Sequence, residues 1–213
     1  MYTWLFLSLL LASCSFAPTN LQVRTADDLK SRGIKRIAVM PIEFAGDANI
    51  SSYGSNEPAQ RKAGEKNPGA VVTGDVYTAL AAAPNWQVVS EREVGEAIAT
   101  LAGKSGNQAR RLGELVFADG VIFGRVVRFR ERVGEDLGAQ SPASVAFTLQ
   151  LVDVKRGDIV WTAEYQETQQ PLSANLFALG DFTRRGAKWL TAEELARDGV
   201  RQAVEQLNQL LYR

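Results

Sequence analysis

One cysteine, no histidine and 24 carboxylates bound the chemistry this chain can do. The cysteine is Cys14, and it closes the motif Leu11-Ala12-Ser13-Cys14. A cysteine thiolate is the nucleophile that accepts a diacylglyceryl group. The small residues Ala12 and Ser13 suit a peptidase pocket, and the motif reads as a lipobox. The apolar run from Trp4 to Leu11 before it is too short to span a bilayer, which takes about 20 residues. It has the length of a signal-peptide core. Cleavage after Ala17 would fall before Pro18, which is unfavourable. One feature departs from the pattern: Met1-Tyr2-Thr3 carries no Lys or Arg, which a mis-assigned start codon would explain. We expect residues 1–13 to be removed as a signal peptide and Cys14 to be lipidated.

Without histidine, no Ser-His-Asp triad can form. With the one cysteine acylated, neither a disulfide nor a zinc site of His or Cys ligands can be built. Carboxylate or lysine chemistry remains. Asp75, Glu91, Glu93 and Glu96 fall on expected helix surfaces or caps, and no two make a general acid/base couple. We therefore expect no enzyme, no catalytic residue, no metal and no cofactor.

Two groups of side chains offer a partner surface instead. Arg128, Arg130 and Arg132 share one face of an expected strand and could meet an anionic polymer or lipid phosphates. The plainer reading is a solvated face partly paired with Glu164. Phe177, Phe182 and Trp189 could anchor a partner, and the plainer reading there is a lid over the core. Two short motifs carry nothing. Gly103-Lys104-Ser105 lacks the earlier glycine of a phosphate loop and follows a helix. Arg156-Gly157-Asp158 reads as a hairpin turn.

The elements that must position these residues alternate between helical and period-two patterns. Ile34 to Ile42 reads as a buried strand that Pro41 should end. Residues 43–69 form a long polar loop, expected to be flexible, leaving the strand end where open α/β sheets bind ligands. A helix follows over Ala70–Ala83, then a short strand over Trp86–Val89. Ser90 and Glu93 form a capping box for the next helix, and a further helix spans Asn107–Phe117. Val121–Val133, Ala143–Val154 and Ile159–Gln169 read as three long strands, the last two joined at Lys155–Asp158. One face of this sheet should be apolar and helix-covered, the other polar and wet. Pro171–Leu190 is irregular. A second capping box, Thr191 with Glu194, opens a long C-terminal helix.

The expected organisation is a signal peptide over 1–13, a lipidated tether over 14–33 and one α/β domain over 34–213. That domain combines a mixed sheet, three long antiparallel strands and packed helices in a three-layer arrangement. Residues 15–33 reach at most ~65 Å. Lys+Arg 24 balances Asp+Glu 24, so no basic footprint for nucleic acid exists. A hydrophobic content of 46% fits a globular protein.

The order of these motifs carries a resemblance. Ile34 through Ile42, Trp86 through Arg92, Ala118-Asp119-Gly120-Val121-Ile122-Phe123-Gly124, and Leu151 through Trp161 together resemble a set of periplasmic outer-membrane lipoproteins. These are related to the curli-secretion channel lipoprotein and to the activator lipoproteins of penicillin-binding proteins. The resemblance covers most of 34–211. It implies a three-layer α/β domain, no catalysis and, with Ser15 rather than Asp after the cysteine, the periplasmic leaflet of the outer membrane. A channel is not expected. The long strands read as joined by short turns, and their alternate face carries Arg, Thr, Gln and Glu where a membrane strand needs an apolar outer face. An activator reaching the inner membrane is not expected either, because the tether is short. What remains is a non-enzymatic binding, assembly or accessory subunit of an envelope complex, secretory or cell-wall related. Its partners would be membrane lipid through Cys14 and an envelope protein; oligomerisation stays open. The alternative is a carboxylate-dependent enzyme, or a glycan or small-ligand binder, near residues 43–69.

Overall fold

The computed structural model describes residues 20–46, 66–83, 85–101, 107–135, 138–169 and 190–212. Its strands are β1 (Leu21–Thr25), β2 (Arg36–Val39), β3 (Glu43–Phe44), β4 (Gln87–Val88), β5 (Gly120–Arg130), β6 (Val133–Glu135), β7 (Gly138–Ser141), β8 (Ser144–Asp153) and β9 (Ile159–Thr168). Its helices are α1 (Pro68–Ala81), α2 (Glu91–Leu101), α3 (Gln108–Leu115) and α4 (Ala192–Tyr212).

One mixed sheet runs in the order β1-β9-β8-β5-β2-β4. β2 pairs parallel with β4 and β5, while β5, β8, β9 and β1 pair antiparallel. Pro41 has the expected effect and breaks the first strand in two. β2 stops at Val39, and the chain rejoins β5 as β3, at Glu43 and Phe44.

The α/β class and the three layers are as read from the sequence. α1 and α4 cover one face, where Val76, Leu80, Leu195, Val204 and Leu207 meet Ile37, Ile122, Phe147, Leu149 and Trp161. α4 lies so close to β9 that a Cβ on Gly199 would stand 2.7 Å from the Tyr165 ring. The second face is not wholly wet. α2 and α3 cover its parallel half, packing Val94, Leu101, Leu112 and Val116 on Ala38, Val121 and Val152. Only the antiparallel half, with Thr148, Gln150, Thr162 and Glu164, is left part-open.

α1 starts at Pro68, two residues before the expected Ala70 and inside the stretch read as loop, while α2 and α4 start at the expected caps. Asn67 accepts from the Gly69 amide at 3.0 Å, with Pro68 in the first turn of α1. Thr191 and Glu194 cap α4 reciprocally: Thr191 N donates to Glu194 Oε2 at 2.9 Å, and Glu194 N to Thr191 Oγ1 at 3.1 Å. Ser90 supplies half of its expected box, accepting from Glu93 N at 3.3 Å. The Glu93 carboxylate turns instead to Arg36, 3.1 Å away.

Two expectations are corrected. Residues 21–25, read as tether, form edge strand β1 against β9, from Leu21 opposite Tyr165 to Thr25 opposite Trp161. Leu29, also in that stretch, is buried. The turn read between the first two long strands is longer than a turn: a two-stranded ribbon, β6–β7, stands between β5 and β8. With strands of 3 and 4 residues, this ribbon does not itself span a bilayer, for which about 9–11 residues per strand are needed.

Candidate functional site

A bulge in β5 decides where its arginines point. The pairing with β8 slips between Val126 and Arg128, leaving Val127 as the extra residue. Ahead of the slip, Ile122 and Val126 pack under α1 and α4; after it, Phe129 packs there. Strict alternation would have put Arg128 on the side of Val126. The extra residue resets the parity and places Arg128 and Arg130, opposite Ala146 and Ser144, on the other face. Arg132 lies past the last residue of β5, so the strand holds two arginines of the expected row. Glu164 is not their partner. Arg24 on the edge strand holds its carboxylate, and across the sheet Glu164 faces Thr148.

Arg128 is half-buried, and its Nε and Nη2 are enclosed without a hydrogen-bond partner among the described residues. Its row across the sheet runs through Ala146 and Gln166 to Asn20, whose carbonyl accepts from Gln166 N at 2.9 Å. The end of the sheet that holds Arg128 is therefore also where the described chain begins. Cys14, Phe177, Phe182 and Trp189 lie outside the described residues, as do Gly103-Lys104-Ser105 and residues 47–65.

The opposite end of the sheet is tied by an ion cluster that the sequence did not suggest. Arg32, with 5% of its side chain exposed, reaches Asp153 at 2.8 Å and Asp158 at 2.8 Å. It also reaches Asp28 at 3.0 Å. Arg156 adds a 3.0 Å contact to Asp28. The Arg32 hydrogen bonds hold the carboxyls of Asp28 and Asp158 below the usual range, and Arg32 itself is held more firmly protonated. Arg156 and Asp158 are thus spent on the fold, while Gly157 supplies the turn at φ 82°. The turn reading of that tripeptide holds.

A cleft of about 230 Å³ opens at the C-terminal end of β2, between the starts of α1 and α2, lined in part by Pro41, Thr73, Tyr77, Glu91 and Val94. This is the switch point where neighbouring connections leave in opposite directions. Burial pushes the Tyr77 phenol up to about 12, so it stays protonated and donates to the Val39 carbonyl at 3.3 Å. Among the described residues, Glu91 is the one carboxylate lining the cleft. Glu93 is paired with Arg36, Glu96 with Arg92, and Asp75 lies under Arg197 of α4. Burial, opposed by Arg197, leaves the Asp75 carboxyl above its ordinary value. Among the described residues, no group of three metal-capable side chains gathers, and no helix is long and apolar enough to cross a membrane.

With this geometry in place, comparison with known proteins identifies the lineage. The family model of the curli production assembly/transport component CsgG matches residues 21–213. The chain belongs to the CsgG family. The match begins at the first residue of β1, in agreement with the place of that strand in the fold. No curated protein sequence matches the chain. Among solved structures, it is similar to the PelC dodecamer from Paraburkholderia phytofirmans at 16% identity, covering 88% of this chain and 95% of that one, with a TM-score of 0.46. It is similar to the LpoB C-terminal domain from Escherichia coli at 18% identity, covering 63% and 83%, with a TM-score of 0.39. Lipoprotein GNA1162 from Neisseria meningitidis aligns at 14% identity over 71% and 92%, with a TM-score of 0.40.

Proposed function

We propose that this CsgG-family chain is a lipid-anchored, non-enzymatic assembly or accessory subunit of an envelope complex. In this reading Cys14 is its acylation site and the periplasmic leaflet of the outer membrane its address. The family match over residues 21–213 carries the reading, since the family model is that of an assembly/transport component. The lipobox supplies the anchor. The side chains agree with a binding role: there is no histidine, the cleft beside β2 holds one carboxylate among the described residues, and the other helix carboxylates named above are engaged by arginines. More than one acyl chain gives a stable anchor, where one would be marginal.

The test is made in cells that make the protein. Labelled palmitate is expected in the wild-type chain and not in Cys14→Ala, with the variant released from the outer-membrane fraction. Crosslinking followed by capture of the acylated protein should then recover one envelope protein in fixed stoichiometry. Absence of label, with the chain found in the cytosol, would overturn both anchor and address. Stoichiometric capture failing, while one carboxylate substitution abolished function in a folded protein, would favour the enzyme.

A further inference from the structure

We infer that the end of the sheet carrying Arg128 rests on the membrane surface, and that the Arg128 guanidinium binds a lipid headgroup phosphate there. The inference rests on acylation at Cys14. Six residue-to-residue steps lead from Cys14 to Asn20, a reach of at most ~21 Å. Asn20 shares a row with Gln166, Ala146 and Arg128, three strand spacings away. At 4.8 Å per spacing, Arg128 stands about 14 Å from Asn20 across the sheet. A membrane that holds Cys14 by its acyl chains therefore lies no more than ~35 Å from this arginine.

Chemistry selects phosphate. Arg128 has two guanidinium nitrogens enclosed without partners, so its charge is poorly solvated. Nη1 is not among the enclosed atoms and is the nitrogen left to meet an anion. A partly desolvated guanidinium gains more from an anion than a fully hydrated one does. A phosphodiester offers one negative charge and an acceptor oxygen to the Nη1 N–H groups, a charge-assisted hydrogen bond. The neighbouring charges are already engaged: Glu131 accepts from Ala192 N at 3.1 Å, Glu167 accepts from the Tyr165 hydroxyl at 2.5 Å on the helix-covered face, and neither Arg130 nor Arg132 is free. The attraction is therefore local to Arg128 and does not need a strongly basic surface.

The experiment uses the chain from residue 14 onward with Cys14→Ser, so that no acyl chain contributes. Vesicles of phosphatidylethanolamine and phosphatidylglycerol are floated with it, alongside vesicles of a neutral, phosphate-free galactolipid. We expect flotation with the phospholipid vesicles only. Arg128→Gln should lower the bound fraction at least threefold, while Arg24→Gln, on the edge strand, should leave it unchanged. Thermal melts establish that both variants are folded. Equal flotation of Arg128→Gln, or equal binding to the phosphate-free vesicles, overturns the inference. So does a change in sedimentation on Arg128→Gln with vesicle binding intact, because a carboxylate of a second copy would then be the partner. Failure here leaves palmitate labelling at Cys14 standing, so the two readings fail separately.

Discussion

Phe117 holds φ at 53°, the left-handed region, and is 85% exposed. It follows α3 in the position where glycine commonly ends a helix, with Ala118 N donating to the Gly113 carbonyl at 2.9 Å. A side chain there costs about 1–2 kcal/mol of backbone strain, and this one recovers little by burial. Glycine would relieve the strain but gain freedom in the unfolded chain, which offsets part of it. Phe117→Gly should therefore raise stability by about 0.5–1 kcal/mol in urea unfolding, and a loss would contradict the strain. The acid cluster gives a second expectation at this scale. Asp28 and Asp158 have folded-state values held below their unfolded ones by Arg32. Their stabilisation is present in full above the unfolded carboxylate range, near pH 4, and is lost as pH falls through the lower folded values. Asp158→Asn should thus lower the Tm at pH 7, and the difference from wild type should close as both are measured toward pH 2. A constant difference across that range would place the effect in packing, not charge.

At the scale of elements, Trp161 in β9 shows how packing was legible. Its alternation with Thr162 and Glu164 puts it on the covered face, and it is 1% exposed in the core under α1 and α4. Trp161→Ala should cost about 3 kcal/mol, toward the lower end for a large buried ring, because its enclosed Nε1 has no partner among the described residues. Trp161→Phe, which keeps most of the ring and removes that orphan donor, should cost less than half as much; denaturant titration of both variants reads the pair. β8, β9 and α4 were readable for the same reason: long elements repeat their period often enough to declare a face. β1 was not. Leu21-Gln22-Val23-Arg24-Thr25 offers two apolar residues on five, and its reason to be a strand is the open edge of β9, which no local pattern encodes. The bulge at Val127 was hidden because valine fits either face. The partner of Glu164 was hidden because it comes from that same unread strand. The cluster around Arg32 joins residues up to 128 positions apart, a pairing that only the folded sheet defines.

For the whole molecule, the question is where the folding unit begins. The sequence pattern starts at Ile34, but the sheet starts at Leu21. Residues 20–33 cover the edge of β9, bury Leu29 at 3% exposure, and pack Leu21 and Val23 partly against the main core. They also carry Asp28 and Arg32, the two ends of the ion cluster on the β8–β9 turn. A chain begun at Ile34 would lose the Leu29 burial, worth about 1.5–3 kcal/mol. It would also leave Asp153, with 6% of its side chain exposed, without its buried cation, and would turn β9 into a bare edge open to pairing with other chains. These losses are of the same order as the 5–15 kcal/mol that holds a typical domain together. A chain begun at Asn20 should unfold cooperatively in urea as a soluble species. One begun at Ile34 should show a midpoint lower by at least a third, or sediment as aggregate. Equal midpoints would mean that β1 is an appendage, and the domain would then start where the sequence pattern first put it.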